Sequence, residues 1–142
     1  MTPLSAHFSL EEAIASQTAA RLDIDNDPPL DVVRNMKKAA LGMELVRMEL
    51  NSNAIHVSSW YRSPKLNEAL GSKPTSAHTR GFAIDFTCPT AGRPVDIVRR
   101  LKASGLKFDQ LIHEFNSWIH ISFDGERRQV LTIDKSGTKV FV

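Results

Sequence analysis

Two histidines and one aspartate, His78, Asp85 and His120, are the residues of this chain best suited to hold a metal ion. If Gly81-Phe82-Ala83-Ile84-Asp85-Phe86 is a strand, Phe82, Ile84 and Phe86 point to one face and Ala83 and Asp85 to the other. Trp118-Ile119-His120-Ile121-Ser122-Phe123 alternates in the same way, setting His120 and Ser122 opposite Ile119, Ile121 and Phe123. Each strand thus presents one metal-competent side chain on the face away from its apolar residues. The small Ala83 beside Asp85 leaves room for an ion, and His78, in the loop before the first strand, can close over the same point. Two imidazoles and a carboxylate with an open fourth position describe a catalytic zinc site, whereas a structural site fills that position with a further protein ligand. Zinc held this way lowers the pKa of water to about 7, so that hydroxide becomes available near neutrality.

The elements that must position these residues follow from period and punctuation. Ser9, with Glu11 and Glu12 in the first turn, caps a short helix expected from Leu10 to Thr18. Asp23 to Pro29 is a loop, and Pro28-Pro29 opens the next helix. From Leu30 to about Leu50, Val33, Met36, Ala40, Met43, Val46 and Leu50 recur at three- and four-residue steps, the mark of an amphipathic helix ended by Asn51-Ser52-Asn53. Ala54 to Tyr61 then alternates as a strand, with Ile55 and Val57 on one face. A short helix (Lys65 to Ala69), a loop (Gly71 to Arg80), the strand Gly81 to Thr87 and a helix (Pro94 to Ser104) come next. Phe108 to Phe115 and Trp118 to Phe123 read as a hairpin around Asn116-Ser117, and Gln129 to Asp134 with Lys139 to Val142 as a second hairpin around Ser136-Gly137. Helices first and strands later predict an α+β fold, with N-terminal helices packed on a central antiparallel sheet.

Bulk properties narrow the class. A length of 142 residues suits one domain spanning 1–142, and 42% hydrophobic with 24% charged residues excludes disorder and coiled coil. The net charge of +2 is spread among acids, so a nucleic-acid partner is not expected, while weak attraction to anionic wall polymers is compatible with it. The single cysteine, Cys88, excludes a disulfide framework and a cysteine-built zinc finger, and reads as a small buried thiol after a strand. No run is apolar enough to insert in a membrane, and the amino terminus lacks the basic and apolar regions of a secretory signal. These features predict synthesis in the cytoplasm, and no unused apolar helix face argues for anything but a monomer.

Ser76-Ala77-His78-Thr79-Arg80-Gly81-Phe82-Ala83-Ile84-Asp85 resembles the S-x-H-x-x-G-x-A-x-D signature of the M15 zinc peptidases. These are D-Ala-D-Ala carboxypeptidases, dipeptidases and phage L-Ala-D-Glu endopeptidases that share a fold with the hedgehog signalling domain. Ser59-Trp60-Tyr61-Arg62-Ser63-Pro64 with Asn67 resembles the family's S-G-Y-R-S-x-x-x-N segment, and Trp118-Ile119-His120-Ile121 its W-[VI]-H-[VI] end. Phe8-Ser9-Leu10-Glu11-Glu12, Asp25-Asn26 and Pro28-Pro29 are similar to the short phage and prophage subfamily.

The resemblance implies one Zn2+ on His78, Asp85 and His120, Arg62 binding a substrate carboxylate or steadying the oxyanion, and Ser76 orienting substrate or ligand. It implies a peptidoglycan stem peptide as substrate and an endolysin that reaches the cell wall on phage lysis. The alternative on the same fold is a non-catalytic zinc-bearing binding or phage assembly protein. Several members carry an acid three residues before the last histidine ligand, where this chain has Ser117, which cannot act as the base. Hedgehog-like and short M15 chains place a glutamate six residues before it, which here is Glu114. A two-residue turn at Asn116-Ser117 would pair His113 with His120 and send Glu114 to the other face; a three-residue loop, Asn116 to Trp118, would pair Glu114 with His120. The second register is expected, with Glu114 as general base and His113 in reserve.

Overall fold

The computed structural model describes residues 1–142. The Ser9 hydroxyl accepts the Glu12 amide at 3.2 Å and caps α1 (Leu10–Ile14). Where one helix to Thr18 was expected, Ala15 turns extended and Ser16 caps a second helix, α2 (Gln17–Arg21), taking the Ala19 amide at 3.1 Å. A serine hydroxyl that satisfies an amide two or three residues on starts a new helix and interrupts the old one. Then α3 (Leu30–Glu49) runs as the long amphipathic helix, with Met36, Ala39, Ala40, Met43 and Val46 fully buried. Asn51 and Ser52 adopt left-handed backbone (φ 58 for each) and end it.

The remaining elements are β1 (His56–Ser59), α4 (Pro64–Ala69), a 3-10 turn (Ala77–Arg80), β2 (Ala83–Thr87), α5 (Pro94–Ala103), β3 (Gln110–Glu114), β4 (Trp118–Ser122), β5 (Gln129–Asp134) and β6 (Gly137–Val140). The strands form one sheet in the order β1-β2-β4-β3-β5-β6. Ile84 and Phe86 of β2, Leu111 of β3 and Ile119 and Ile121 of β4 join Met36 and Met43 of α3 and Ile97 and Leu101 of α5 in a single apolar core. The helices therefore cover one face of the sheet, and alternation turns Asp85 of β2 and His120 of β4 to the other. Cys88 is buried beyond β2 as expected, its thiol 3.2 Å from the Ala54 carbonyl. No helix is long and apolar enough to cross a membrane.

The α+β architecture is as predicted, but the sheet is mixed: β3 and β5 pair in parallel. The chain leaves β4 beside the start of β3, passes that end, and enters β5 running the same way as β3. Asp109 is the post around which it turns. Arg127 donates from Nε and NH2 to the two Asp109 carboxylate oxygens at 2.9 and 2.8 Å, and the Gln129 amide donates to the Asp109 carbonyl at 2.9 Å. Gly125 is required in this turn, because a Cβ there would lie 2.6 Å from Asp109 Oδ1.

The Arg127 hydrogen bond holds the Asp109 carboxyl below the usual carboxylate range, outweighing its burial. A depressed folded-state pKa contributes stability that is present above the unfolded value of about 3.9 and lost as pH falls through the lower folded value. Asp109→Asn is therefore expected to be less stable than wild type near pH 7, with the gap narrowing below about pH 4. Urea midpoints at several pH values measure this, and a gap independent of pH would rule the linkage out.

Candidate metal centre

Antiparallel pairing of β2 with β4 sets Asp85 directly opposite His120, on the face turned away from α3 and α5. His78 rides on the 3-10 turn Ala77–Arg80, which Ser76 caps by accepting the His78 amide at 3.2 Å. Gly81 closes that turn with φ 80, and a Cβ there would stand 2.6 Å from Met36 Cγ. The turn thus presses on α3 and brings His78 down onto the sheet. His78 Nε2 lies 3.3 Å from Asp85 Oδ2, and His120 Nδ1 lies 2.8 Å from Asp85 Oδ1. All three candidate ligand atoms are within 4.8 Å of one another, as the sequence predicted. Ala83, two residues before Asp85 on the same strand, is fully buried and is not among the residues that line the cleft.

The ligand atoms are prepared by their neighbours. The Trp60 carbonyl lies 2.7 Å from His78 Nδ1, and because a carbonyl only accepts, the proton sits on Nδ1 and Nε2 keeps its lone pair. Burial lowers the His78 pKa, which favours the neutral ring. Burial alone would raise the Asp85 pKa, but His78 and the His120 hydrogen bond override it and hold the carboxyl well below its usual range. At His120 burial opposes charge, yet the Asp85 hydrogen bond and carboxylate raise its pKa, so a proton and a metal ion compete for Nδ1. An ionised carboxylate and two imidazoles, open on one side to a cleft of about 1010 Å³, are a donor set that fits zinc with one position left to solvent or substrate.

The β3–β4 hairpin carries the next group. Glu114 pairs with Trp118 and Ile112 with His120, around a three-residue loop, Phe115-Asn116-Ser117. The expected pairing of Glu114 with His120 is thus displaced by two residues. Phe115 and Asn116 take the left-handed conformation (φ 51 each) and Ser117 Oγ donates to the Phe115 carbonyl at 2.9 Å, so Trp118 stays in the strand. A shift of two preserves the face, and Glu114 still points to the ligands, its Oε1 3.8 Å from His120 Nδ1. Burial and the Asp85 charge push the Glu114 pKa above the ordinary carboxylate range, against the pull of His120 and Arg62. His113 pairs with Ile119 and faces the opposite side, its ring 6.2 Å from that of Phe141. That placement removes His113 from the site.

Arg62 lies at the other edge of the ligand cluster. Its Nε donates to Ser59 Oγ and its NH1 to Ser72 Oγ, both at 3.1 Å, while NH2 reaches Asp85 Oδ2 at 3.4 Å. Trp60 is a fully buried core residue whose indole N–H donates to the Gly81 carbonyl at 2.9 Å, whereas Trp118 lines the cleft with a buried indole N–H that has no acceptor.

Sequence reasoning missed the residues that hold Arg62 in place. Buried Asn26 accepts the Ser63 amide at 2.7 Å and donates to the Ile14 and Tyr61 carbonyls at 2.8 and 3.1 Å, bracketing Arg62 from both sides. Asn67 donates to the Lys73 carbonyl at 2.8 Å and so fixes the loop that offers Ser72. The only signal of either was the resemblance of its segment; the spacing of a lone asparagine carries none. Asn26→Ala strands three backbone groups, and a loss of about 2–3 kcal/mol of stability is expected in urea unfolding. A midpoint near that of wild type would show that these bonds hold nothing.

The family model described as Peptidase M15 matches residues 6–122. Among curated proteins, none matches the chain significantly.

Proposed function

The chain belongs to the M15 peptidase family, and from that premise we propose that it is a zinc-dependent peptidase hydrolysing an amide bond in peptidoglycan stem peptides, as a D-Ala-D-Ala carboxypeptidase or an endopeptidase. The observation that carries this reading is Glu114: a half-buried carboxylate 3.8 Å from His120, beside three candidate ligands, at the floor of an open cleft.

His78, Asp85 and His120 would hold the zinc, which when bound supplies Lewis acidity toward a carbonyl and toward water. Glu114 takes the proton of the attacking water and returns it to the leaving amine, a task suited to a carboxylate whose pKa is drawn toward neutrality. Arg62, pinned by Ser59 and Ser72, presents a fixed positive charge to the developing oxyanion or to a substrate carboxylate. Ser76 acts on the reaction by capping the turn that carries His78, and lies close enough to the cleft to meet substrate as well. Stem peptides carry free carboxylates, which match Arg62 and the exposed Lys73 on the same wall of the cleft. An origin as a phage or prophage endolysin is part of the same proposal and rests on the resemblance of the amino-terminal segments.

Zymography on purified peptidoglycan, with mass spectrometry of the fragments, tests the reading. Release of a fragment with a newly free amine and carboxylate supports it and identifies the bond. A zinc-loaded protein that releases nothing would instead be a binding or assembly protein.

A further inference from the structure

The two walls of the cleft differ in kind. One carries Arg62, Ser72, Lys73 and Ser76; the other is built from β3, β5 and β6. Register places Ile112 opposite His120 on one side and opposite Leu131 on the other, so His120, Ile112 and Leu131 stand in one row across the metal face. In the next row Trp118, Glu114, Ile133 and Thr138 follow one another in the same way. Ile112, buried at 5% exposure, and the half-buried Leu131 and Ile133 stand outside the core under α3 and α5, which takes Leu111 from the opposite face of β3 and has Val130 of β5 packed against it. Phe115, 46% exposed, stacks on Trp118 at 5.5 Å between ring centroids and borders this apolar shelf at the hairpin tip. Leu131 and Ile133 lie beyond residues 6–122, in β5, a strand that the family match does not include.

Three aliphatic side chains line the same cavity as the candidate ligands, Ile112 buried at its base and Leu131 and Ile133 half-buried beside it, and together give the cleft an apolar patch. We propose that Ile112, Leu131 and Ile133 form a substrate subsite that takes an aliphatic side chain of the peptide, on the side of the scissile amide away from the residue whose carboxylate Arg62 holds. This rests on the reading of the metal centre given above. Because the shelf is continuous with the ligand cluster, an amide seated at the metal brings a neighbouring side chain over it, while Arg62 and Lys73 select charge on the far wall. β5 and β6 thereby supply selectivity as well as an edge to the sheet.

Alkyl hydroxamates of increasing length, anchored by their head group at the zinc, probe the shelf without requiring turnover. With zinc-loaded wild-type protein, affinity is expected to rise about threefold for each methylene added between the two-, four- and six-carbon compounds. In Leu131→Asn/Ile133→Asn that rise should flatten, in the milder Leu131→Ala it should be reduced, and in Lys73→Ala it should persist. A flat series in wild type, no binding at all, or the same rise in the Leu131→Asn/Ile133→Asn variant overturns the subsite. A rising series in a protein that cleaves no peptidoglycan leaves the subsite standing and overturns the proposed reaction instead.

Discussion

Glu114→Gln is expected to abolish turnover and leave zinc bound. Glutamine keeps the size of the side chain and its place opposite Trp118, but it cannot take a proton from water. Loss of a general base costs about 10²- to 10⁴-fold in rate, and here the base also has to protonate the leaving amine. The substitution removes a negative charge 3.8 Å from His120 without touching the three ligand atoms, so metal content should stay near one ion per chain. Fragment release from peptidoglycan and elemental analysis of the same preparation measure the two halves of this result. A Glu114→Gln protein that turns over at the wild-type rate would strip Glu114 of its role. Joint loss of zinc and activity would make it a support for the ligands.

His78→Ala and Asp85→Ala should each lose both metal and activity. Either change leaves two protein ligands, and the loss of affinity is expected to exceed the roughly 10- to 100-fold typical of removing an outer-shell partner. The two variants differ in what they leave behind. His78→Ala frees the Trp60 carbonyl, while Asp85→Ala takes the partner of His78, His120 and Arg62 at once and leaves Arg62 NH2 unpaired. Thermal unfolding separates binding from folding. Zinc at a hundred times its dissociation constant stabilises a folded protein by about 2.7 kcal/mol, so the wild-type midpoint should climb with added zinc. The midpoints of both variants should stay where they are, and a zinc-dependent rise in His78→Ala would exclude His78 as a ligand.

The legible part of this molecule was the part governed by period. Alternation in Gly81–Phe86 and Trp118–Phe123 put Asp85 and His120 on one face, and the sheet pairs them directly. The face of Glu114 was also readable, because a slip of two residues leaves side-chain direction unchanged. The turn itself was not, since Phe115 accepts a positive φ that its residue type gives no reason to expect. The parallel run of β5 beside β3 depends on Asp109 and Arg127, which lie 18 residues apart in a long-range ion pair that no local pattern announces. Likewise Ser16 reads as an ordinary helix residue until its hydroxyl is seen to cap α2. The positioning groups behind Arg62 were hidden for the same reason: Asn26 and Ser72 act through bonds to distant segments.

His78, Asp85 and His120 are expected to bind one zinc ion together. Anomalous diffraction from zinc-loaded crystals, recorded at the zinc absorption edge, tests it most directly. A single strong peak about 2.0–2.2 Å from His78 Nε2, an Asp85 carboxylate oxygen and His120 Nδ1 is the predicted result. A peak at another place, or none in a protein that still hydrolyses its substrate, would contradict it.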